Sequence, residues 1–173
     1  GSVEQHEARD MSMIGNYLPL SREQLAAIVE NPAQAEELAY PDDGALPPAA
    51  LDIDKSWHLI HFLLNGETWG GDGPLSQVVL GGTELPDTDA GYGPFRYLHP
   101  EEVQATSKAL AEISSEELWS RFDADRAHAA EIYPQGWSGD DQERGYVQGN
   151  FESLQQFYAK AAASGKAMLL YLS

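Results

Sequence analysis

Between Trp57 and Leu64 polar positions almost vanish. Trp57, Leu59, Ile60, Phe62, Leu63 and Leu64 spread around a helical wheel, interrupted only by His58 and His61. A helix that is apolar on every side is a buried one. The pattern predicts a central helix from about Asp54 to Asn65. Asp52 or Asp54 is expected to cap its first N–H groups, and Gly66 to close its end in the left-handed conformation. Upstream, Met11 to Leu18 alternates as a first strand, with Gly15 marking a close backbone approach. Ser21 with Gln24 forms a capping box that opens a helix to about Glu30, with Leu25, Ile28 and Val29 inward. Asn31-Pro32 ends it, because a residue before proline is pushed out of the helical region. Ala33 to Tyr40 predicts a short second helix, and Pro41 to Pro48 a loop.

Downstream of the central helix, Glu67 to Pro74 is too rich in glycine for regular structure. Leu75 to Leu80 predicts a short helix or strand, and residues 83–91 an acidic loop. Tyr92 to Leu98 is expected as a strand at a sheet edge, since Pro94 donates no ladder hydrogen bond. Pro100 opens a helix with Val103, Thr106, Leu110 and Ile113 on one face. Ser114 with Glu117 opens another, running to about Ile132 with Leu118 and Phe122 inward, where Tyr133-Pro134 stops it. After a loop from Gln135 to Arg144, Asn150 is expected to cap a last helix through Ala163, closed by Gly165. Its stripe of Phe151, Leu154, Phe157 and Tyr158 is core by spacing. Lys166 to Leu172 predicts a central strand buried on both faces.

These elements amount to an α/β or α+β fold. A small mixed sheet of three to five strands is covered by five to six helices in a single layered domain over residues 11–173. Residues 1–10 are polar and read as a loose tail or tag, with Met11 as the natural start.

Several stretches resemble the bacterial YfbM-like family, a domain of unknown function. They are Met13-Ile14-Gly15, Leu51-Asp52-Ile53-Asp54-Lys55-Ser56-Trp57 with His61-Phe62 and Gly66, and Pro74-Leu75-Ser76 with Val79-Leu80-Gly81. Ile132-Tyr133-Pro134 and the closing helix, turn and strand follow in the same order. The resemblance implies a compact mixed α/β domain and supplies neither an activity nor catalytic residues.

Charge narrows the function. Twenty-eight acids against ten bases give −18. Such a field repels nucleic-acid phosphates and anionic lipid, and draws in basic proteins or cations. Nucleic acid and membrane are therefore set aside as partners. With no cysteine there is no disulfide, thiolate metal site or cysteine nucleophile. No apolar run approaches the roughly 20 residues of a membrane span. The N-terminus lacks the layout of a signal peptide, and a cytoplasmic location is expected.

His58 and His61, with Asp54 four residues before His58, would share one helix face at spacings suited to a metal or to acid–base work. The sharper reading is a divalent metal site completed by an acid such as Asp72. The plainer one has Asp54 as a cap, His58 half exposed and His61 hydrogen-bonded in the core. The missing His-Glu-x-x-His spacing favours the plainer. Asp52 and Asp54 alternate as paired hydrolase carboxylates can, though a cap and an ion pair with Arg96, Arg121 or Arg126 account for them as well. The glycine-rich run from Trp69 to Pro74 lacks the Lys-Ser/Thr of a phosphate loop, no Gly-x-Ser-x-Gly elbow exists, and no cofactor fingerprint is present. Exposed aromatics are expected in the loops, at Trp69, Tyr92, Trp137 and Tyr146, the last two beside Asp140, Asp141 and Glu143. With Asp72 they sketch an acidic surface with aromatic anchors. The sequence therefore points first to a non-enzymatic acidic protein that masks a basic protein partner, as an immunity or antitoxin-type inhibitor of a toxin enzyme does. The alternative is a hydrolase or metal-dependent enzyme using Asp52, Asp54, His58 and His61.

Overall fold

A computed structural model describes residues 12–41 and 47–173. The expected tail at 1–10, the strand start at Met11 and most of the Pro41–Pro48 loop lie outside the described residues. The fold is α+β, with a five-stranded sheet in the order β2-β1-β5-β4-β3. The strands are β1 (Gly15–Leu20), β2 (Leu51–Asp52), β3 (Thr83–Glu84), β4 (Arg96–Leu98) and β5 (Ala167–Leu172). Every pairing is antiparallel, so the sheet is not mixed.

The last strand takes the central place that its continuous apolar run predicts. β5 pairs with β1 along its whole length, from Gly15 opposite Leu172 to Leu20 opposite Ala167, and with β4 on its other side. Successive side chains point to opposite faces, and both faces are covered. Met168, Leu170 and Leu172 enter a large core with Tyr17 and Leu98, and Ala167, Leu169 and Tyr171 a smaller one with Leu18 and Leu20.

Seven α-helices cover the sheet among the described residues. α1 (Arg22–Glu30) and α2 (Gln34–Ala39) lie over the smaller core through Leu25, Ile28, Ala35 and Ala39. The capping box at Ser21 and Gln24 forms as expected, but Val29 is exposed. The larger core receives α3 (Trp57–Asn65), α4 (Pro100–Leu110), α5 (Ser115–Ser120), α6 (Ala124–Ala129) and α7 (Asp141–Ala163).

Three boundaries depart from the sequence pattern, each for a local reason. The helix expected from Ser114 to Ile132 is two. Asp123 Oδ1 accepts hydrogen bonds from the N–H groups of Asp125 and Arg126, a cap that starts α6 afresh. The last helix begins at Asp141, capped by Asp140, whose Oδ1 accepts from Glu143 N at 2.8 Å. Asn150 lies inside it and donates back to Tyr146 O at 2.9 Å. Lastly, the strand expected over Tyr92–Leu98 is only Arg96–Leu98 and lies inside the sheet, between β5 and β3. Gly91 at φ 128° and Gly93 at φ 113° turn the chain before it, so Pro94 never enters the ladder.

The central helix is placed by its neighbours rather than by a cap. Asp52 and Asp54 precede it. A 3-10 turn, Asp54–Ser56, leads into Trp57, and no side chain caps the helix. Asp54 sits at φ 56°, with its N–H donated to Asp52 Oδ1 at 2.6 Å. Gly66 ends α3 at φ 71°, as expected. Gly15 is where β1 and this turn touch. A Cβ there would meet Trp57 Cβ at 3.1 Å and Ile53 Cγ1 at 3.2 Å.

Candidate functional site

All eight residues from Trp57 to Leu64 are buried, including both histidines. The two rings have different surroundings. His58 is fully engaged. Tyr133 N donates to its Nδ1 at 2.8 Å, and its Nε2 lies 3.0 Å from Thr68 O. A backbone N–H is only a donor and a carbonyl only an acceptor, so His58 carries its proton on Nε2. The ring stacks on Trp57 at 5.0 Å and on Trp69 at 4.4 Å, and Trp57 stacks in turn on Tyr133 at 5.7 Å. His58 thus pins two distant loops to α3. Burial holds its pKa below the ordinary histidine value, against the opposing pull of the Thr68 backbone.

His61 lies one turn on and is 6% exposed. Asn65 Nδ2 donates to His61 O and to Leu75 O, each at 3.1 Å, which fixes the orientation of that amide. The same nitrogen faces His61 Nδ1 at 3.4 Å, so the ring lone pair belongs on Nδ1 and the proton on Nε2. That Nε2 has no hydrogen-bond partner. The backbone at Gly70 is near enough to favour a charged ring, yet its geometry makes no hydrogen bond. Burial outweighs it and keeps the pKa below the ordinary value, so the ring is neutral at pH 7.

His61 faces a cavity of about 410 Å³. Its walls are mostly apolar and come from six parts of the chain: Met13, the α3 residues, Trp69-Gly70, Val79-Leu80, Tyr92 with Pro94 and Arg96, and Leu172. Trp69, 62% exposed, covers one side from the loop after α3. Trp57 Nε1 donates to Met13 O at 2.8 Å, and Arg96 Nη2 pairs with Glu84 Oε1 at 2.7 Å. A largely apolar cleft of a few hundred cubic ångströms with few convergent polar groups is the usual form of a small-molecule site.

The residues singled out from sequence fall into three groups. His58, His61, Trp69 and Tyr92 meet at this cavity. Asp52 and Asp54 do not. The left-handed turn at Asp54 removes it from the helical register that would place it under His58, and both carboxylates are exposed. They face Tyr146 instead. Burial first, with these two acids adding to it, raises that phenol to about 12 against the Lys55 backbone, whose N–H its oxygen accepts at 2.9 Å. Among the described residues no three His, Asp or Glu side chains cluster to hold a metal ion. Arg96 and Arg121 pair with Glu84 and Glu117 instead, and Arg126 lies over Phe62.

The third group is the expected patch of acids and aromatics at 137–146, whose acids Asp140 and Asp141 are exposed while its aromatics pack inward. Trp137 is only 5% exposed and stacks with the half-buried Tyr146. Asp140 caps α7, and Glu143 Oε1 accepts from Ser138 N at 2.9 Å and Gly139 N at 2.6 Å. Asp141 is exposed, and Asp72 is exposed beside a separate, shallower hollow with Glu67. Sequence reasoning missed Met13, Arg96, Leu172 and Tyr133 as parts of the site. Only Val79-Leu80, an apolar pair before two glycines, carried a local signal.

Comparison with known proteins places this architecture. The chain is 30% identical over 127 residues to Protein YfbM of Escherichia coli (strain K12), covering 72% of this chain and 74% of that protein. A crystal structure described as a protein of unknown function, YfbM from Escherichia coli, superposes with a TM-score of 0.74 at 26% identity. It covers 93% of this chain and 100% of its own. The model of the family described as "Domain of unknown function (DUF1877)" matches residues 11–171, and the chain belongs to that family.

Proposed function

We propose that the domain is a non-enzymatic binding module whose site is the cavity between α3, the Trp69 loop and the edges of β4 and β5. One observation carries this reading: a largely apolar cavity of about 410 Å³ lies beside the buried helix α3, with the exposed Trp69 covering one side. A concave, mostly apolar site with few polar groups suits a small apolar molecule. The hydrolase alternative needs Asp52 or Asp54 beside a histidine, but these two act on Tyr146, and the carboxylate that His61 feels is Glu67. Calorimetric titration with toluene and with acetophenone tests the proposal. Saturable binding is expected in the wild type and none in Leu80→Trp, whose indole fills the cavity. Absence of saturable binding by either compound would overturn it.

A second reading is supported by the charge. Against a net −18, the described residues form two ion pairs, Arg96–Glu84 and Arg121–Glu117, which leaves most acids uncompensated. A basic protein partner, such as a toxin enzyme neutralised by an immunity-type protein, fits that surface electrostatically. Trp137 is packed inside and Tyr92 and Tyr146 are half-buried, so Trp69 is the most exposed of the four expected aromatics and the one fit to anchor it. Co-purification of one stoichiometric partner, released by high salt, is the result this reading requires.

A further inference from the structure

We infer that His58 is a one-sided, proton-operated latch beside the cavity: a charged ring releases the Tyr133 segment, and with it Met13, while keeping its hold on the Thr68–Trp69 loop. The latch belongs to the fold, and its bearing on ligand entry rests on the reading of this cavity as a binding site. The two ring nitrogens meet opposite chemistry. Nε2 donates to Thr68 O at 3.0 Å, and Nδ1 accepts from Tyr133 N at 2.8 Å. A second proton has to go on Nδ1. It then points at the Tyr133 N–H, donor against donor, at a separation that only a hydrogen bond sustains. At Nε2 the same charge strengthens the bond to a carbonyl. The indoles of Trp57 and Trp69, stacked on the ring at 5.0 Å and 4.4 Å, also attract a cation. One loop is loosened and the other tightened.

The release reaches the cavity through one hydroxyl. Tyr133 Oη accepts from Met13 N at 2.9 Å, and Met13 is part of the cavity wall. Trp57 Nε1 still holds Met13 O, so this wall loosens without leaving. The groups around His58 leave its charge uncompensated. On α3 the ionisable neighbour is His61, which opposes protonation. In the turn before α3, Asp54 acts on Tyr146. Glu67, beside Thr68, is exposed and acts on His61. On the third element Glu131 is exposed, and the Tyr133 phenol is engaged by Met13 N. Burial, with His61 adding to it, outweighs the pull of the Thr68 carbonyl and puts the change on the acid side of the ordinary histidine value.

Amide hydrogen exchange of the full chain, read residue by residue by NMR, tests the latch. The pH is lowered from 7.5 through the His58 titration, which is followed on its own ring nitrogens. As the ring charges, protection of the Tyr133 and Met13 amides is expected to fall about tenfold. Ile132, whose N–H is bonded to Ala127 O, should keep its protection, and so should the His58 Nε2–H. In His58→Gln, which has no ring to titrate, the pH dependence at Tyr133 should vanish, and the wild-type profile decides the matter without that variant. Tyr133 protection that ignores the His58 titration would overturn the latch, as would Ile132 and Tyr133 losing protection together in one global event. Loss of the Nε2–H at the same pH would overturn its one-sidedness. Toluene association measured over the same range separates the latch from its use. Faster association with the ring charged is expected, an unchanged rate would remove the link to ligand entry and leave the latch standing, and no binding at any pH would sink the reading of the cavity as a site.

Discussion

Replacing Trp57 by alanine is expected to destabilise the domain by about 3–5 kcal/mol, the range for truncating a large buried aromatic. Trp57 is 1% exposed, and its neighbours hold it on every side. Gly15 lies against its Cβ, Tyr133 and Trp69 face its ring, and its Nε1 donates to Met13 O. Truncation leaves a void where the sheet, the helix and two loops meet, and removes the partner of the Met13 carbonyl. Urea unfolding checks it. With a slope of about 2 kcal/mol per molar, the midpoint falls by roughly 2 M. A shift below about 0.5 M would show that this helix is not the packing centre of the fold.

The second large effect belongs to His58. His58→Leu keeps the volume roughly constant but leaves Tyr133 N–H and Thr68 C=O without their partner. Each orphaned group costs about 1–3 kcal/mol, so for the two a loss of roughly 2–6 kcal/mol is expected. The substitution also changes how stability depends on pH. The folded pKa of His58 lies below the ordinary 6.5, with burial as the main cause. Between the folded and unfolded values the unfolded chain binds more protons, so stability rises with pH across that window. The contribution is complete above about 6.5 and is lost as the pH falls towards the folded pKa. Between pH 7.5 and pH 5.5 the wild type should therefore lose more stability than His58→Leu does. His61, shifted in the same direction, supplies the part that the variant retains. Identical losses in the two proteins would show that His58 is not buried neutral.

What could be inferred from the chain alone followed burial more than chemistry. The run from Ala167 to Leu172 has no alternation, and it is the strand with partners on both sides and cores on both faces. The apolar wheel of α3 likewise signalled its depth. Boundaries failed where a short polar side chain chose among several backbone partners. Asn150 resembles a cap but donates to Tyr146 O within a helix already capped by Asp140. Asp123 resembles an interior helical residue but caps α6. The site was half legible for a related reason. His58 and His61 stood out as residue types, three apart in one buried helix. Their roles depend on Tyr133, Thr68, Asn65 and Leu75, and the 75-residue separation of His58 from Tyr133 leaves no local trace. The expected alignment of Asp54 with the histidines assumed helical geometry where the backbone turns left-handed.

The central claim is that the cavity beside α3 takes a small apolar molecule while both helix histidines stay buried and neutral. Nitrogen-15 NMR of the imidazole side chains at pH 7, with and without acetophenone, tests it most directly. His58 should give the Nε2–H pattern in both samples, and added acetophenone should shift the His61 ring resonances in a saturable way while His58 moves little. A His61 ring that is charged at pH 7, or indifferent to acetophenone, would contradict the account.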